Sequence, residues 1–234
     1  MNKEELWERA YSDRVYPNKE IEGNRVLLSY ENSEIFAEQT ISCISGQSKS
    51  RKTFLMSLLI EQLFNPTSGF ESDFCDEILY IDTEQSQRRI ESITHRFSRP
   101  ELITFVSIRE YGIAERYYII EKGIEKLRPS IVVIDGVADL CADVNDQAYS
   151  TKLLNKLLEW TGKYKCHITT VLHNNPMGEK MRGALGTQMQ HKASCVMASE
   201  TKGPITRITS TFNRDKDFNP FKFTINESGI PVMK

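Results

Sequence analysis

Eight consecutive residues, Gly46-Gln47-Ser48-Lys49-Ser50-Arg51-Lys52-Thr53, carry the strongest chemical signal in the sequence. They fit the pattern G-x-x-x-x-G-K-[ST] at every fixed position but one, where Arg51 stands for the second glycine. In such a loop successive backbone N–H groups point inward at phosphate oxygens, and the N-terminus of the following helix adds a partial positive charge. Lys52 is placed to reach the outer phosphates and the Thr53 hydroxyl to hold a magnesium ion. Arg51 argues against a positive φ at that position, because a side chain there carries a steric penalty. It also sets a third cation beside Lys49 and Lys52.

Two carboxylates follow at strand ends. Tyr80-Ile81-Asp82-Thr83-Glu84 closes one apolar run and Ile131-Val132-Val133-Ile134-Asp135 another. A glutamate at the carboxyl end of a strand beside a phosphate loop can orient and deprotonate an attacking water. Four apolar residues ending in Asp form the arrangement in which the carboxylate holds Mg²⁺. Each alone also reads as a plain buried strand with a polar end; their order after a phosphate loop favours the catalytic reading.

With these residues the sequence resembles the RecA-type P-loop ATPases, and among them the hexameric replicative-helicase branch with its small plasmid and mobile-element relatives. The resemblance spans roughly residues 25–230. It implies ATP as substrate with Mg²⁺, Glu84 as water activator, and Asp135 with Thr53 at the metal. Asp135 is followed by Gly136, so the adjacent Asp-Glu pair of the common AAA+ arrangement is absent. The resemblance implies that His173, in Leu172-His173-Asn174, senses the γ-phosphate. It implies that the segment 177–187, with Lys180 and Arg182 among three glycines, contacts DNA; a lid over the nucleotide is the other reading. Arg214 matches an arginine that completes a neighbouring subunit's site, while Phe212 stands where its companion lysine is expected, so that half of the pair is lost or passed to Lys216.

The elements that must position these residues alternate. Apolar, β-branched runs at Ile41–Ser45, Glu77–Ile81, Leu102–Val106, Ile131–Ile134 and Ile168–Leu172 read as buried central strands. Between them lie helical stretches: Thr53–Phe64 stopped by Pro66, Ser86–Phe97, Ile113–Leu127, and Gln147–Trp160 with Gly162 as its C-cap. The pattern predicts an α/β fold with a mainly parallel central sheet flanked by helices. Ala193–Ser199, Ile205–Phe212 and Phe221–Ile225 read as strands extending that sheet antiparallel. Residues 1–24, with a helical stretch Glu4–Tyr11 and then Pro17 and Gly23, read as an N-terminal arm; 25–234 reads as one ATPase domain.

Thirty Lys and Arg against 32 Asp and Glu give a net charge of −2, which excludes a wholly basic nucleic-acid coat protein but permits a local basic patch. Met1-Asn2-Lys3-Glu4-Glu5 lacks the apolar core of a secretory signal, and no apolar run approaches the ~18 residues of a membrane span. Five scattered cysteines without a C-x-x-C pair point to reduced thiols and a cytoplasmic protein. The expectation is an ATP-hydrolysing, DNA-associated motor of helicase type, a homo-oligomer with a hexameric ring as the form the resemblance implies, serving replication or mobilisation of a plasmid-like element. The alternative is a non-hydrolysing nucleotide-binding switch or scaffold. A metabolic P-loop kinase fits less well, since no acceptor-binding segment is visible.

Overall fold

The computed structural model describes residues 2–12, 14, 23–175, 178 and 180–234. In chain order the elements are α1 (Lys3–Ser12), β1 (Val26–Tyr30), β2 (Ser33–Ala37), β3 (Ile41–Gly46), α2 (Lys52–Phe64), β4 (Phe70–Glu71), β5 (Ile78–Asp82), α3 (Gln87–Thr94) and β6 (Ile103–Ser107). They continue with α4 (Ile113–Leu127), β7 (Ile131–Asp135), α5 (Gln147–Tyr164), β8 (His167–His173), α6 (Gly183–Lys192), β9 (Cys195–Lys202), β10 (Ile205–Asn213), β11 (Phe221–Ile225) and β12 (Pro231–Met233).

Nine strands form one sheet in the order β12-β11-β10-β9-β3-β8-β7-β5-β6. The five predicted central strands pair in parallel, as their apolar, two-sided burial requires. The antiparallel extension begins one strand later than expected: β9 runs parallel beside β3, and only β10, β11 and β12 are antiparallel. A helix, α6, joins β8 to β9, which is long enough for a parallel crossover, whereas β9, β10 and β11 follow through shorter connections.

One face of the sheet is covered by α2 and α3 and the other by α4, α5 and α6, each burying apolar residues in its own cluster. A second, three-stranded sheet in the order β2-β1-β4 was not visible in the periodicity. Its hairpin turns through Glu31 and Asn32, both at positive φ (50° and 61°), as a two-residue turn matching strand twist demands. Leu27, Leu28, Tyr30 and Phe36 of that hairpin share a cluster with Leu55, Met56, Leu59 and Leu63 of α2. The first helix after the phosphate loop is therefore held between two sheets, which explains why it is buried well beyond the single leucine face that its sequence suggested.

Helix α5 runs through Gly162 and ends at Tyr164, with Lys165 in the left-handed conformation (φ 55°) at its C-cap; the predicted glycine cap is an interior helix position. A lysine in that role accepts the strain that glycine would avoid. Helix α1 covers the predicted stretch Glu4–Tyr11 and buries none of its residues; Trp7 and Tyr11 stack with ring centroids 5.4 Å apart. Pro17 lies outside the described residues. No helix among them is long and apolar enough to cross a membrane.

Candidate nucleotide site

The phosphate loop leaves β3 at Gly46 and enters α2 at Lys52. A Cβ at Gly46 would sit 2.5 Å from Ser50 Oγ and 2.6 Å from the Ser199 carbonyl, so only glycine allows the chain to turn here. Ser199 Oγ in turn donates to the Ser50 carbonyl at 2.5 Å and ties the loop to β9.

Arg51 overturns the backbone expectation: its φ is +63°, left-handed, and Lys49 is likewise at +64°. The loop takes the geometry a glycine would favour and carries the cost in two charged residues. The guanidinium of Arg51, at the border of the cleft, is committed elsewhere. It donates to the Pro204 carbonyl at 2.7 Å and the Gly203 carbonyl at 3.3 Å in the β9–β10 turn, and to Thr206 Oγ1 of β10 at 3.2 Å. Those bonds offset the strain and draw the third expected cation away from the phosphate position. Arg51→Gly should therefore unfold at higher urea than Arg51→Ala, by about 1 kcal/mol, because both lose the bonds but only glycine loses the left-handed penalty.

Lys52 is buried and its ammonium donates to the carbonyls of Gly46 (3.0 Å) and Gln47 (2.7 Å), curling into its own loop. Burial pulls it down to about 8, against the opposing pull of Asp135 and Glu84. Two steps across the sheet, beyond β8, Asp135 ends β7. Its Oδ2 accepts from Thr53 Oγ1 and from the Tyr80 hydroxyl, both at 2.9 Å. Burial, then the neighbouring Asp82, raises Asp135 to about 6.

Asp82 ends the adjacent β5 in register with Asp135. Its Oδ1 accepts from the backbone N–H of Glu84 (2.9 Å) and Gln85 (2.7 Å), while its buried Oδ2 has no partner. Those two bonds fix the turn that carries Glu84. Glu84 as a residue is exposed at the rim of the cleft, but its carboxyl is partly desolvated, and that, then Asp139, Asp135 and Asp82, raises it. Thr83 beneath it donates its hydroxyl among the Asp135 and Gly136 carbonyls and Asp139 Oδ2, at 3.1, 3.0 and 2.9 Å.

His173 ends β8, between the loop strand and the Asp135 strand; its buried Nδ1 has no partner, and burial followed by Lys52 lowers its proton affinity. Together Lys49, Lys52, Thr53, Glu84, Asp135 and His173 border one cleft of about 380 Å³ at the carboxyl ends of the strands. Among the polar side chains of the cleft, Gln85, Arg89 and Arg96 escaped the sequence reading. Arg89, Ile93 and Arg96 recur at i, i+4 and i+7, a helical face that would have exposed the two arginines. Arg96 lies 3.9 Å above the Phe54 ring and donates to Ser57 Oγ at 3.3 Å.

The donor set suits magnesium. No group of three or more His, Cys, Asp or Glu able to hold a metal exists among the described residues. What the cleft offers is a hydroxyl, a carboxylate 2.9 Å from it and the partnerless Asp82 Oδ2 nearby, all hard oxygens. Mg²⁺ is commonly bound through one or two carboxylates together with substrate phosphates. Thr53 and Asp135 would hold the ion, which would neutralise charge developing on the phosphates.

In the metal-free protein the folded Asp135 keeps its proton to about 6, against 3.8 for the ordinary group. Its contribution to stability therefore falls as pH rises from about 4 to about 6 and is flat above. Asp135→Asn should abolish that component, so that the variant gains on wild type in thermal melts in EDTA between pH 4 and pH 7.5.

The remaining candidates lie outside the cleft. Lys180 and Arg182 are exposed on a tight turn-back after β8, where the Arg182 N–H donates to the His173 carbonyl (3.0 Å) and the Asn175 N–H to that of Lys180 (2.8 Å). Of the expected 177–187 loop, Met177 and Glu179 lie outside the described residues, and everything from Gly183 on is helix α6. Gln47 links phosphate loop and turn-back, its Nε2 donating to the carbonyls of Asn175 (2.9 Å) and Gly178 (2.6 Å). Arg214 donates to the His191 and Lys192 carbonyls at 3.2 and 3.3 Å, capping the C-terminus of α6.

The AAA_25 family, described as an AAA domain, matches residues 18–178, well over half of the chain and every residue of the cleft. The fold is similar to the crystal structure of a KaiC-like protein from the hyperthermophilic archaeon Pyrococcus horikoshii OT3. The TM-score is 0.64 at 12% identity, covering 91% of this chain and 100% of that one. No curated protein matches the sequence. The chain belongs to the AAA_25 family of AAA domains, which together with its RecA- and KaiC-like fold supports a P-loop ATPase.

Proposed function

We propose that this ATPase binds and hydrolyses ATP with Mg²⁺ as an oligomeric, DNA-associated motor of helicase type in the replication or mobilisation of a plasmid-like element. The observation that carries hydrolysis is the convergence of Lys52, Thr53, Asp135, Glu84 and His173 on one cleft. In this reading the backbone of 46–53 and Lys52 bind the phosphates, Glu84 takes a proton from the attacking water, and His173 meets the γ-phosphate.

The DNA reading is supported by the exposed Lys180 and Arg182 on a turn hydrogen-bonded to the phosphate loop through Gln47. Nucleotide-dependent movement of the loop would reach them along those bonds. The oligomer reading is supported by two features. Arg214 lies outside its own chain's cleft, as a residue serving a neighbour must. Leu6, Trp7 and Tyr11 on α1 are each about half exposed, which suits packing on an adjacent copy.

Steady-state phosphate release with and without single-stranded DNA tests the reading. Stimulation by DNA in wild type, lost in Lys180→Gln/Arg182→Gln with basal turnover kept, is the expected result. Turnover indifferent to DNA removes the DNA role, and a protein that stays monomeric with ATP and DNA removes the motor. The switch or scaffold reading draws on one observation, the turning of Arg51 away from the phosphates. Tight ATP binding without turnover would establish it.

A further inference from the structure

The parallel sheet has a second opening at its carboxyl edge. Strands β5 and β6 are neighbours, yet the chain leaves β5 for α3 on one face and leaves β6 for α4 on the other. Adjacent connections that diverge to opposite faces open a crevice outside the strand ends, where α/β sheets hold ligands. The phosphate loop does not border this crevice. It is a separate cavity of about 350 Å³.

Its two walls are polar and basic. Ser86, Gln87 and Arg88 line it from the β5 side, and Ser107, Arg109 and Tyr111 from the β6 side, with Glu110 as its one acid. Neither Arg88 nor Arg109 makes an ion pair or a side-chain hydrogen bond among the described residues, so both guanidinium groups are available. Ser86 stands at the N-cap of α3 but makes no capping bond with its side chain. The exposed Tyr111 ring offers a flat apolar face beside the two cations.

The walls are also rigid, which spares the ordering cost of binding. Ser107 Oγ donates to the Gln85 carbonyl at 2.9 Å and joins them at the base. Arg116 donates to three carbonyls: Tyr111 at 2.8 Å, Arg109 at 2.9 Å and Asp139 at 2.8 Å. The loop bearing Arg109 and Tyr111 is thereby pinned to the segment that follows Asp135.

We propose that this crevice between the carboxyl ends of β5 and β6 is a second ligand site, binding a phosphate-bearing molecule through Arg88 and Arg109 with Ser86 as a further donor. Two arginines with fixed forks suit phosphate oxygens, and Tyr111 suits an attached base. A small phosphorylated ligand and the backbone of a single-stranded nucleic acid share this chemistry. The assignment stands apart from the DNA reading of Lys180 and Arg182.

Titration calorimetry on the full chain, saturated with ADP in metal-free buffer so that the phosphate loop is filled, tests it with pyrophosphate and with hexathymidylate. Pyrophosphate should bind wild type and lose at least tenfold in affinity in Arg88→Gln/Arg109→Gln, while ADP affinity stays within twofold of wild type. Hexathymidylate that binds more tightly and is displaced by pyrophosphate identifies a nucleic-acid strand, and pyrophosphate binding alone identifies a small ligand. Absence of pyrophosphate binding to the ADP-saturated protein, or binding untouched by the double variant, overturns the proposal. ADP binding reports folding throughout, since the substituted residues lie on the surface outside the cleft.

Discussion

Glu84→Gln should bind ATP as tightly as wild type and release phosphate at least a hundredfold more slowly. The substitution keeps the shape and hydrogen-bonding reach of the side chain while removing its capacity to accept a proton, and positioned general bases contribute about 10²–10⁴-fold to rate. The turn that carries residue 84 is built by Asp82 Oδ1, which holds two consecutive backbone N–H groups regardless of what side chain follows. Geometry should therefore survive the exchange. Fluorescent-nucleotide binding beside single-turnover phosphate release separates the two effects. In wild type the raised Glu84 carboxyl, surrounded by Asp139, Asp135 and Asp82, gives a base that is lost as pH falls, so turnover should decline on the acid side. Unchanged turnover in the variant would remove Glu84 from the chemistry.

Gly136→Ala should be the more damaging change to the molecule as a whole. Gly136 sits at φ 101°, where a side chain is strained, and an added Cβ would collide with Thr83 Oγ1 and lie 3.2 Å from Glu84 Oε1. Strain and overpacking at one position together cost about 2–4 kcal/mol. Thr83 cannot yield easily, since its hydroxyl is held among the Asp135 and Gly136 carbonyls and Asp139. The expected outcome is a lower urea midpoint together with a loss of turnover of at least tenfold, because the displaced Thr83 moves Glu84. Gly162→Ala is the matched control. It lies inside α5, nothing lies within 4 Å of its added Cβ, and alanine there should stabilise by about 0.5–1 kcal/mol with activity unchanged. Equal behaviour of the two variants would refute the account of Gly136.

What the sequence made legible was the part of the fold whose signals are local. Central strands buried on both faces read as apolar runs, and Ile113–Leu127 matched helix α4 to the residue, its periodicity ending just before a proline at 129. The phosphate loop was legible because its spacing is fixed by backbone geometry. What escaped depended on partners distant in the chain. The strain of the left-handed Arg51 is offset by carbonyls some 150 residues away that receive its guanidinium. The β1–β2 hairpin gains its stability from α2, and α6 was concealed in a segment rich in glycine. Gly183 (φ 67°) and Gly186 are there for close approach, the first to Val144 and Asn145 and the second to Met181, rather than for a loop. Periodicity shows whether a strand is buried, but gives no direction; that of β9 is set by its parallel pairing with β3, distant in the chain.

The place of β8 between β3 and β7 makes the sheet a ruler. Backbone hydrogen bonds hold neighbouring strands at a nearly constant ~4.8 Å, so two steps set the phosphate loop and Asp135 about 10 Å apart at their strands. That gauge belongs to the peptide backbone and is the same whichever side chains fill the core. Substitutions beneath the cleft can make the protein weaker or stronger, but they cannot widen the span between the two jaws. A change in the length of cargo accepted must be made in the loops above the strands, and variation among chains of this architecture should concentrate there.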